Sequence, residues 1–330
     1  MTVTCVAASG AVDRPDGVVT ADDLSAVRAL VVDGIAQAVS GLADGPSVEV
    51  TLSSLRRART EPSSIGAPYE EFAWKPVFVR RSLGLAAVQA CVEGRFRAPS
   101  VAVGPVADDA VDQWRRTGWR TFHWEPWFAG LGAGARAAVL AEAVTWASAL
   151  WVAFDWDDAG PRARFGGADD LWTCPGNSGI RLKGRCEIRL DRSGHTRPTD
   201  RARRGAEELV SVSSGLPGDA VDEELAYLAL VAALCAPDRP VPLRVLGLWP
   251  DAGERHAVHV DLELLRRAAA RVVVSVAETV DARVRVRQEP VRPARDPDVD
   301  PAQVAANSSF APLASGLPAA VSGISSTMSS

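Results

Sequence analysis

The clearest pattern of hydrophobic and polar positions lies between residues 179 and 191. From Ile180 onward, every second residue is apolar, a glycine or a cysteine, and the residues between them are charged. Successive side chains of a strand point to opposite faces, so this alternation predicts one long β-strand with a buried face and a charged, exposed face. A second, shorter strand is predicted over 208–214.

Helical spacing of apolar residues dominates the rest of the chain. Helices are predicted over 20–41, 77–93, 106–116, 134–156, 219–235 and 261–281. Thr20 or Asp22, Asp219 and Asp261 are the expected N-terminal caps, since short polar side chains satisfy the first free backbone N–H groups of a helix. Further short strands are predicted at 48–52, 240–249 and 255–260, and a loop is predicted over 57–76.

The order of these elements predicts an α+β protein with a mixed sheet. We expect a loose leader at 1–19, a mainly helical region at 20–157, a sheet domain flanked by helices at 158–285 and a disordered tail at 286–330. The tail prediction depends on its richness in Pro, Ser, Ala and Gly. With 47% hydrophobic and 23% charged residues, the 330-residue chain can bury a sizeable core.

The charge balance argues against global attraction to nucleic acid. The formal net charge is −5, so binding to phosphate must be local. Of 36 basic residues, only Lys75 and Lys183 are lysine. Arginine stays protonated and cannot act as a general base, so a mechanism that needs a lysine has only these two candidates.

Cysteine usage and hydropathy bear on the compartment. The five cysteines are scattered without metal-ligand spacing, which favours a reducing, cytoplasmic location. The N-terminus lacks the pattern of a signal peptide. The most apolar segment, 137–154, contains Glu142, so we interpret it as a buried helix and expect no membrane partner.

An aromatic cluster precedes this segment. It consists of Trp114, Trp119, Phe122, Trp124, Trp127 and Phe128. Such residues can stack on single-stranded bases, but they also carry large buried areas, and packing between helices is the favoured interpretation.

Three motifs follow one another along the predicted sheet domain. They are Gly184-Arg185-Cys186-Glu187, Ser211-Val212-Ser213-Ser214-Gly215 and Glu223-Glu-Leu-Ala-Tyr227. In order and spacing they resemble motifs of the RecB-type branch of the PD-(D/E)XK nuclease superfamily, which read Gly-Arg-Ile-Asp-Arg, Asp-Tyr-Lys-Thr-Gly and Gln-x-x-x-Tyr. The resemblance covers about 165–281 and implies a mixed sheet flanked by helices.

The resemblance also implies a degenerate active site. Phosphodiester hydrolysis of this type needs a divalent metal, Mg²⁺ or Mn²⁺, held by carboxylates. Glu187 stands at the first acid position and is the candidate metal ligand. Ser211 replaces the second acid and Ser213 replaces the lysine. Glu223 and Tyr227 share one helix face, which lies near the site in the family, although a surface acid beside a half-buried tyrosine fits equally well.

A basic stretch supplies the candidate phosphate contacts. Its members are Arg181, Lys183, Arg185, Arg189, Arg201, Arg203 and Arg204. Arginine pairs bidentately with phosphate oxygens, which is the best argument here for contact with nucleic acid. A charge-guarded strand edge followed by a solvated loop explains the same residues and is the slightly favoured interpretation.

Three functional hypotheses follow. The first is a catalytically degraded nuclease fold that binds DNA or a protein partner such as a helicase. The second is an active metal-dependent nuclease whose rearranged site combines Glu187 with Asp169, Asp170 or Glu142. The third is a scaffold that binds protein only, without cofactor. Cleavage and salt-dependent binding would distinguish them.

Overall fold

The computed structural model describes residues 19–40, 47–60, 73–118, 124–154, 156–166, 170–191, 207–236 and 241–288. By its contacts, the chain divides into two units, Met1–Val286 and Arg287–Ser330. The predicted leader, apart from Val19, and the predicted tail beyond Gln288 lie outside the described residues.

The protein is of the α+β class, as predicted. Its helices are α1 (Ala21–Ala38), α2 (Leu52–Thr60), α3 (Pro76–Val92), α4 (Pro99–Thr117), α5 (Glu125–Ala129), α6 (Ala133–Val152), α7 (Trp156–Ala159), α8 (Val221–Cys235) and α9 (Leu262–Gln288). Its strands are β1 (Val48–Thr51), β2 (Ala163–Phe165), β3 (Asp170–Thr173), β4 (Ile180–Gly184), β5 (Ile188–Asp191), β6 (Glu207–Val212), β7 (Arg244–Trp249) and β8 (Glu254–His259).

The strands form two sheets. The larger has the order β2-β5-β6-β7-β8, in which β6 and β7 are parallel and the other neighbours are antiparallel. Helix α8 lies between β6 and β7 in sequence and makes the crossover that a parallel pair requires. The smaller sheet has the order β1-β4-β3, with β1 parallel to β4 and β3 antiparallel to it.

The prediction of one long strand over 179–191 is wrong. The chain forms β4 in the smaller sheet and then β5 in the larger one, and Arg185, Cys186 and Glu187 connect them. Cys186, Glu187 and Ile188 are buried in succession, so the alternation of buried and exposed side chains is lost at this point. The sequence pattern missed the break because all the expected apolar positions are still buried, but in two different cores.

The parallel strands β6 and β7 of the larger sheet are buried on both faces. Leu209 of β6 and Val245 of β7 belong to a first core with α1, α8 and α9. Val210 and Val212 of β6 and Leu248 of β7 belong to a second core with α3, α4 and α6. Burial on both faces is typical of parallel strand pairs covered by helices, and it places the sheet between two helical layers.

Local signals explain several helix boundaries. Thr20 and Asp23 form a reciprocal capping box at the start of α1, and Asp261 accepts a 2.7 Å hydrogen bond from the backbone N–H of Leu264 in α9. The predicted cap Asp219 is wrong, because Ala220 occupies the N-cap of α8 without a side-chain hydrogen bond.

The end of α2 and the start of α4 differ from the predicted boundaries. The loop predicted over 57–76 is wrong at its start, since α2 continues to Thr60; residues 61–72 lie outside the described residues. Thr51 and Ser54 exchange side-chain to backbone hydrogen bonds of 3.0 and 2.7 Å at the start of α2. Helix α4 begins at Pro99, before the predicted start, because proline is well accommodated at the first helical position.

Candidate functional site at the sheet edge

Three of the predicted catalytic positions, Glu187, Ser211 and Ser213, lie at one edge of the larger sheet. Strands β6 and β7 are parallel, so their carboxyl ends lie at the same edge, and the antiparallel β5 begins there. Ligands of open α/β sheets bind preferentially at the carboxyl ends of strands, which makes this edge the first place to look for chemistry.

Glu187 ends the pairing between β5 and β6. Its backbone N–H donates to the carbonyl of Val210 at 3.0 Å, although Val210 is already the register partner of Ile188. The N–H of Val212 donates to Oε2 of the Glu187 side chain at 2.8 Å. The carboxylate therefore acts as the acceptor at the end of the ladder, where the chain enters the larger sheet from the smaller one.

The second carboxylate oxygen of Glu187 is also occupied. Oε1 accepts a hydrogen bond from the guanidinium of Arg81 on α3. The Glu187 side chain is only 3% exposed, and that of Arg81 is 33% exposed. A buried carboxylate is tolerated when it is paired and hydrogen-bonded, and here a cation and a backbone N–H together meet that requirement.

The neighbouring arginine of α3 repeats this arrangement. Arg80 forms an ion pair of 2.8 Å with Asp251, which lies in the turn after β7. It also pairs with Glu142 of α6 at 3.6 Å. Asp251 also accepts a 2.8 Å hydrogen bond from the backbone N–H of Gly215, after β6. Arg80, Arg81, Glu142, Glu187 and Asp251 form a group that we call the sheet-edge site.

The sheet-edge site does not fit a divalent metal. Both oxygens of Glu187 are engaged, and its cationic partner is a guanidinium. The β5–β6 register ends with Ile188 opposite Val210; Ser211, a neutral hydroxyl, is the next residue of β6, and Ser213 follows just after that strand. Across the described ranges, no group of three or more His, Cys, Asp or Glu residues could hold a metal ion.

A rearranged metal site would combine Glu187 with Asp169, Asp170 or Glu142. Asp170 of β3 pairs with Arg189, and Glu142 pairs with Arg80. Asp169 lies outside the described residues. The carboxyl groups of Asp170 and Glu142 are therefore paired with arginines.

Cys186 lies next to Glu187 and is 4% exposed. Burial raises the pKa of its thiol above the ordinary value, and the neighbouring Glu187 carboxylate adds to the effect. A thiol with a raised pKa is a poor nucleophile, so Cys186 contributes packing at this edge.

Tyr227 is held on the other side of the sheet, in the first core. Its hydroxyl lies 2.7 Å from the carbonyl of Val50 in β1 and 3.0 Å from that of Lys183 in β4, and it accepts from the N–H of Lys183 at 3.1 Å. Burial raises the pKa of Tyr227 above its ordinary value. Tyr227 therefore joins two strands of the smaller sheet, and no hydrogen bond connects it to Glu187.

Glu223, the predicted companion of Tyr227, is exposed on α8. Its carboxylate pairs with Arg59 of α2 at 2.5 Å and with Arg271 of α9 at 3.7 Å. The predicted pair thus shares a helix face, but the structure does not bring it to the sheet-edge site.

The predicted phosphate-binding residues fall into two groups. Arg181, Lys183 and Arg185 lie along β4 and just after it, where Arg181 pairs with Glu49 of β1 at 3.3 Å. Arg189 is 13% exposed and pairs with both Asp170 and Glu207, which counts against contact with phosphate. The remaining candidates, Arg201, Arg203 and Arg204, lie outside the described residues.

Sequence reasoning missed Arg80, Arg81 and Asp251. These residues come from α3 and from the turn after β7, far in sequence from Glu187. The adjacent arginines within an otherwise apolar helical segment were the only local signal, because polar residues on a buried helix face need partners.

The aromatic residues mainly support packing. Phe128 is 1% exposed and contacts Trp124 edge to face, and Trp114 and Trp127 pack against the second core. Trp119 and Phe122 lie outside the described residues.

No protein-family model and no curated protein sequence matches this chain. Within the described residues, no helix is both long enough and apolar enough to span a bilayer.

Proposed function

We propose that this chain is a catalytically degraded, RecB-like nuclease-fold protein that binds DNA without cutting it. The observation that carries the proposal is the closed carboxylate of Glu187, whose two oxygens are occupied by Arg81 and by the N–H of Val212. A hydrolytic metal site needs carboxylate oxygens open to the ion, and this arrangement leaves none on Glu187.

The binding surface in this proposal is the row of basic residues on β4. Ile180 and Leu182 face the core, so Arg181 and Lys183 alternate with them on the outward face. Arg181 forms an ion pair with Glu49, and the two side chains are 44% and 37% exposed, respectively. Exposed ion pairs contribute only about 0–1 kcal/mol, so a phosphate can take over the guanidinium at little cost.

Catalysis is tested with the full chain and its Glu187→Gln variant, which keeps the size and an acceptor oxygen. Both proteins are incubated with single- and double-stranded DNA in Mg²⁺ or Mn²⁺, and neither is expected to cleave. Cleavage by the wild-type protein that Glu187→Gln abolishes would overturn the proposal and support an active, rearranged nuclease.

Binding is tested by the dependence of DNA affinity on salt. Each phosphate contact contributes about 0.9 to the slope of log affinity against log salt, so the double variant Arg181→Ala/Lys183→Ala should lower the slope by about 2. Arg115→Ala/Arg116→Ala removes the same charge from α4 and is the matched control. Equal slopes for the two double variants would contradict the assignment of β4.

A protein partner is the second candidate. Arg189, one of the predicted phosphate contacts, is already paired with Asp170 and Glu207 of this chain, which weakens the case for DNA and leaves a protein-only role as the alternative. If the wild-type protein shows no salt-dependent binding of DNA, the first proposal is contradicted and the scaffold role replaces it.

A further inference from the structure

A cleft of about 540 Å³ lies between α2, α8 and α9. It is on the side of the larger sheet opposite to α3, since α8 and α9 belong to the first core and α3 to the second. Pockets of roughly 300–1,000 Å³ accommodate one small organic ligand. The cleft is therefore distinct from the sheet-edge site and large enough for a ligand of its own.

The inner wall of the cleft is apolar. Leu55 of α2, Ala226 of α8, and Leu264, Ala268 and Val272 of α9 line it. Val274, which also lines the cleft, is 44% exposed, although it is a large hydrophobic residue. An apolar group that enters the cleft would be removed from water, at a gain of about 25 cal/mol for each Å² buried.

Two arginines stand together on the wall formed by α9. Arg267 and Arg271 are four residues apart, so their side chains share one helix face, where like charges repel. Among the described residues, Arg267 makes no hydrogen bond and no ion pair, whereas Arg271 has a loose contact of 3.7 Å with Glu223. An anion placed between the two guanidinium groups would relieve their repulsion.

The acids around the cleft are largely neutralised already. Glu223 is held by Arg59 at 2.5 Å, and Glu224 is bound bidentately by Arg56 at 2.8 and 2.6 Å. Asp222, in the first turn of α8, is the remaining acid of the lining. The cleft and its ion pairs thus contain four arginines against three carboxylates, a net charge of +1; among the described residues, Arg267 and Asp222 are the members without an ion pair.

We propose that this cleft binds a small anionic amphiphile. Its apolar chain lies along Leu55, Leu264 and Val272, and its carboxylate or phosphate group is held between Arg267 and Arg271. The same pair of guanidinium groups accepts either anion, because arginine binds both through parallel N–H donors.

The proposal is tested by calorimetric titration of the full chain below micellar concentrations. The probes are dodecanoate and dodecyl phosphate, with dodecyltrimethylammonium as the cationic control of equal chain length. We expect saturable binding of one anion per protein and at least tenfold weaker binding of the cation. The tighter of the two anions identifies the head group. Equal affinity for anion and cation, or no saturable binding of either anion, would overturn the proposal.

Variants locate the binding site. Arg267→Gln should weaken binding of the anion about tenfold, whereas Arg266→Gln, which removes the adjacent exposed charge of α9 outside the cleft lining, should leave it unchanged. Ala270→Trp fills the cleft from an exposed position and should reduce binding of every probe. Thermal unfolding of each variant verifies the fold. Equal effects of the Arg267 and Arg266 substitutions, or unaltered binding by Ala270→Trp, would contradict the assigned location.

Discussion

The sheet-edge site and the cleft on α9 use arginine in opposite ways. At the sheet edge, Arg80 and Arg81 are paired with carboxylates that also accept backbone N–H groups, so each charge is part of the fold. In the cleft, Arg267 has no partner among the described residues, and Arg271 has a distant one. The arginines of the sheet edge are thus bound into the fold, whereas the proposed anion site depends on guanidinium groups whose pairing is incomplete.

The largest expected effect is the loss of Arg81. Arg81→Ala would leave the Glu187 carboxylate buried with only one hydrogen bond, and breaking such a pair destabilises a protein by about 3–5 kcal/mol. The partial exposure of Arg81 favours the lower end of this range. Urea denaturation measures the free energy of unfolding.

The double variant Arg81→Ala/Glu187→Gln is the control for this prediction. It should recover much of the loss, because a neutral amide costs less to bury than a charge. If Arg81→Ala lowers the unfolding free energy by less than about 0.5 kcal/mol, the ion pair behaves like an exposed one. The arginines of the sheet edge would then contribute no more to the fold than those of the cleft.

Removal of the Tyr227 hydroxyl comes next. Tyr227→Phe deprives the N–H of Lys183 and the carbonyl of Val50 of a partner, which should cost about 1–3 kcal/mol in unfolding free energy. The ring that lines the cleft remains, so affinity for dodecanoate should not change. A change in affinity without a change in stability would assign Tyr227 to the cleft instead of the fold.

The same residue has a pH signature. Burial raises the pKa of Tyr227 in the folded protein above its ordinary value of 10.0. Above pH 10 the unfolded chain therefore releases this proton more readily, and the hydroxyl's stabilisation decreases as pH rises. The difference in unfolding free energy between wild type and Tyr227→Phe should shrink from pH 8 to pH 11. A constant difference would contradict a buried, protonated hydroxyl.

The smallest effect on stability is expected in the cleft itself. Glu223 is 58% exposed, so Glu223→Gln should change the unfolding free energy by less than about 1 kcal/mol. Because Arg271 and Arg59 then lose a competing carboxylate, affinity for dodecanoate should increase a few-fold. Glu278→Gln, an exposed substitution further along α9, is the matched control. If Glu223→Gln binds dodecanoate more weakly than the wild type does, Glu223 supports anion binding instead of competing with it.

Local chemistry explains which parts of the fold were predictable. The caps Thr20 and Asp261 act within three residues, and the helical period of α3 reflects burial against a nearby layer. The break at Arg185–Glu187 depends on which sheet each half of the segment joins, and that choice is made by β1, β3 and β6 at long range.

The site was predictable only in part for the same reason. The order of the motifs assigned Glu187 and Ser211 to successive strands, and the structure places Glu187 just before β5 and Ser211 on β6, the neighbour of β5. The partner of Glu187 is 106 residues away on α3, and no spacing in the sequence links Arg81 to it.

The hydrogen bond from Val212 to the Glu187 side chain makes one amide a reporter for the whole edge. Most protected amides of a sheet exchange with solvent when a stretch of backbone opens. The amide of Val212 is released when a single side chain rotates away. Its rate of hydrogen exchange, compared with that of Val210 inside the β5–β6 pairing, would therefore record how often the carboxylate of Glu187 becomes free in the native protein.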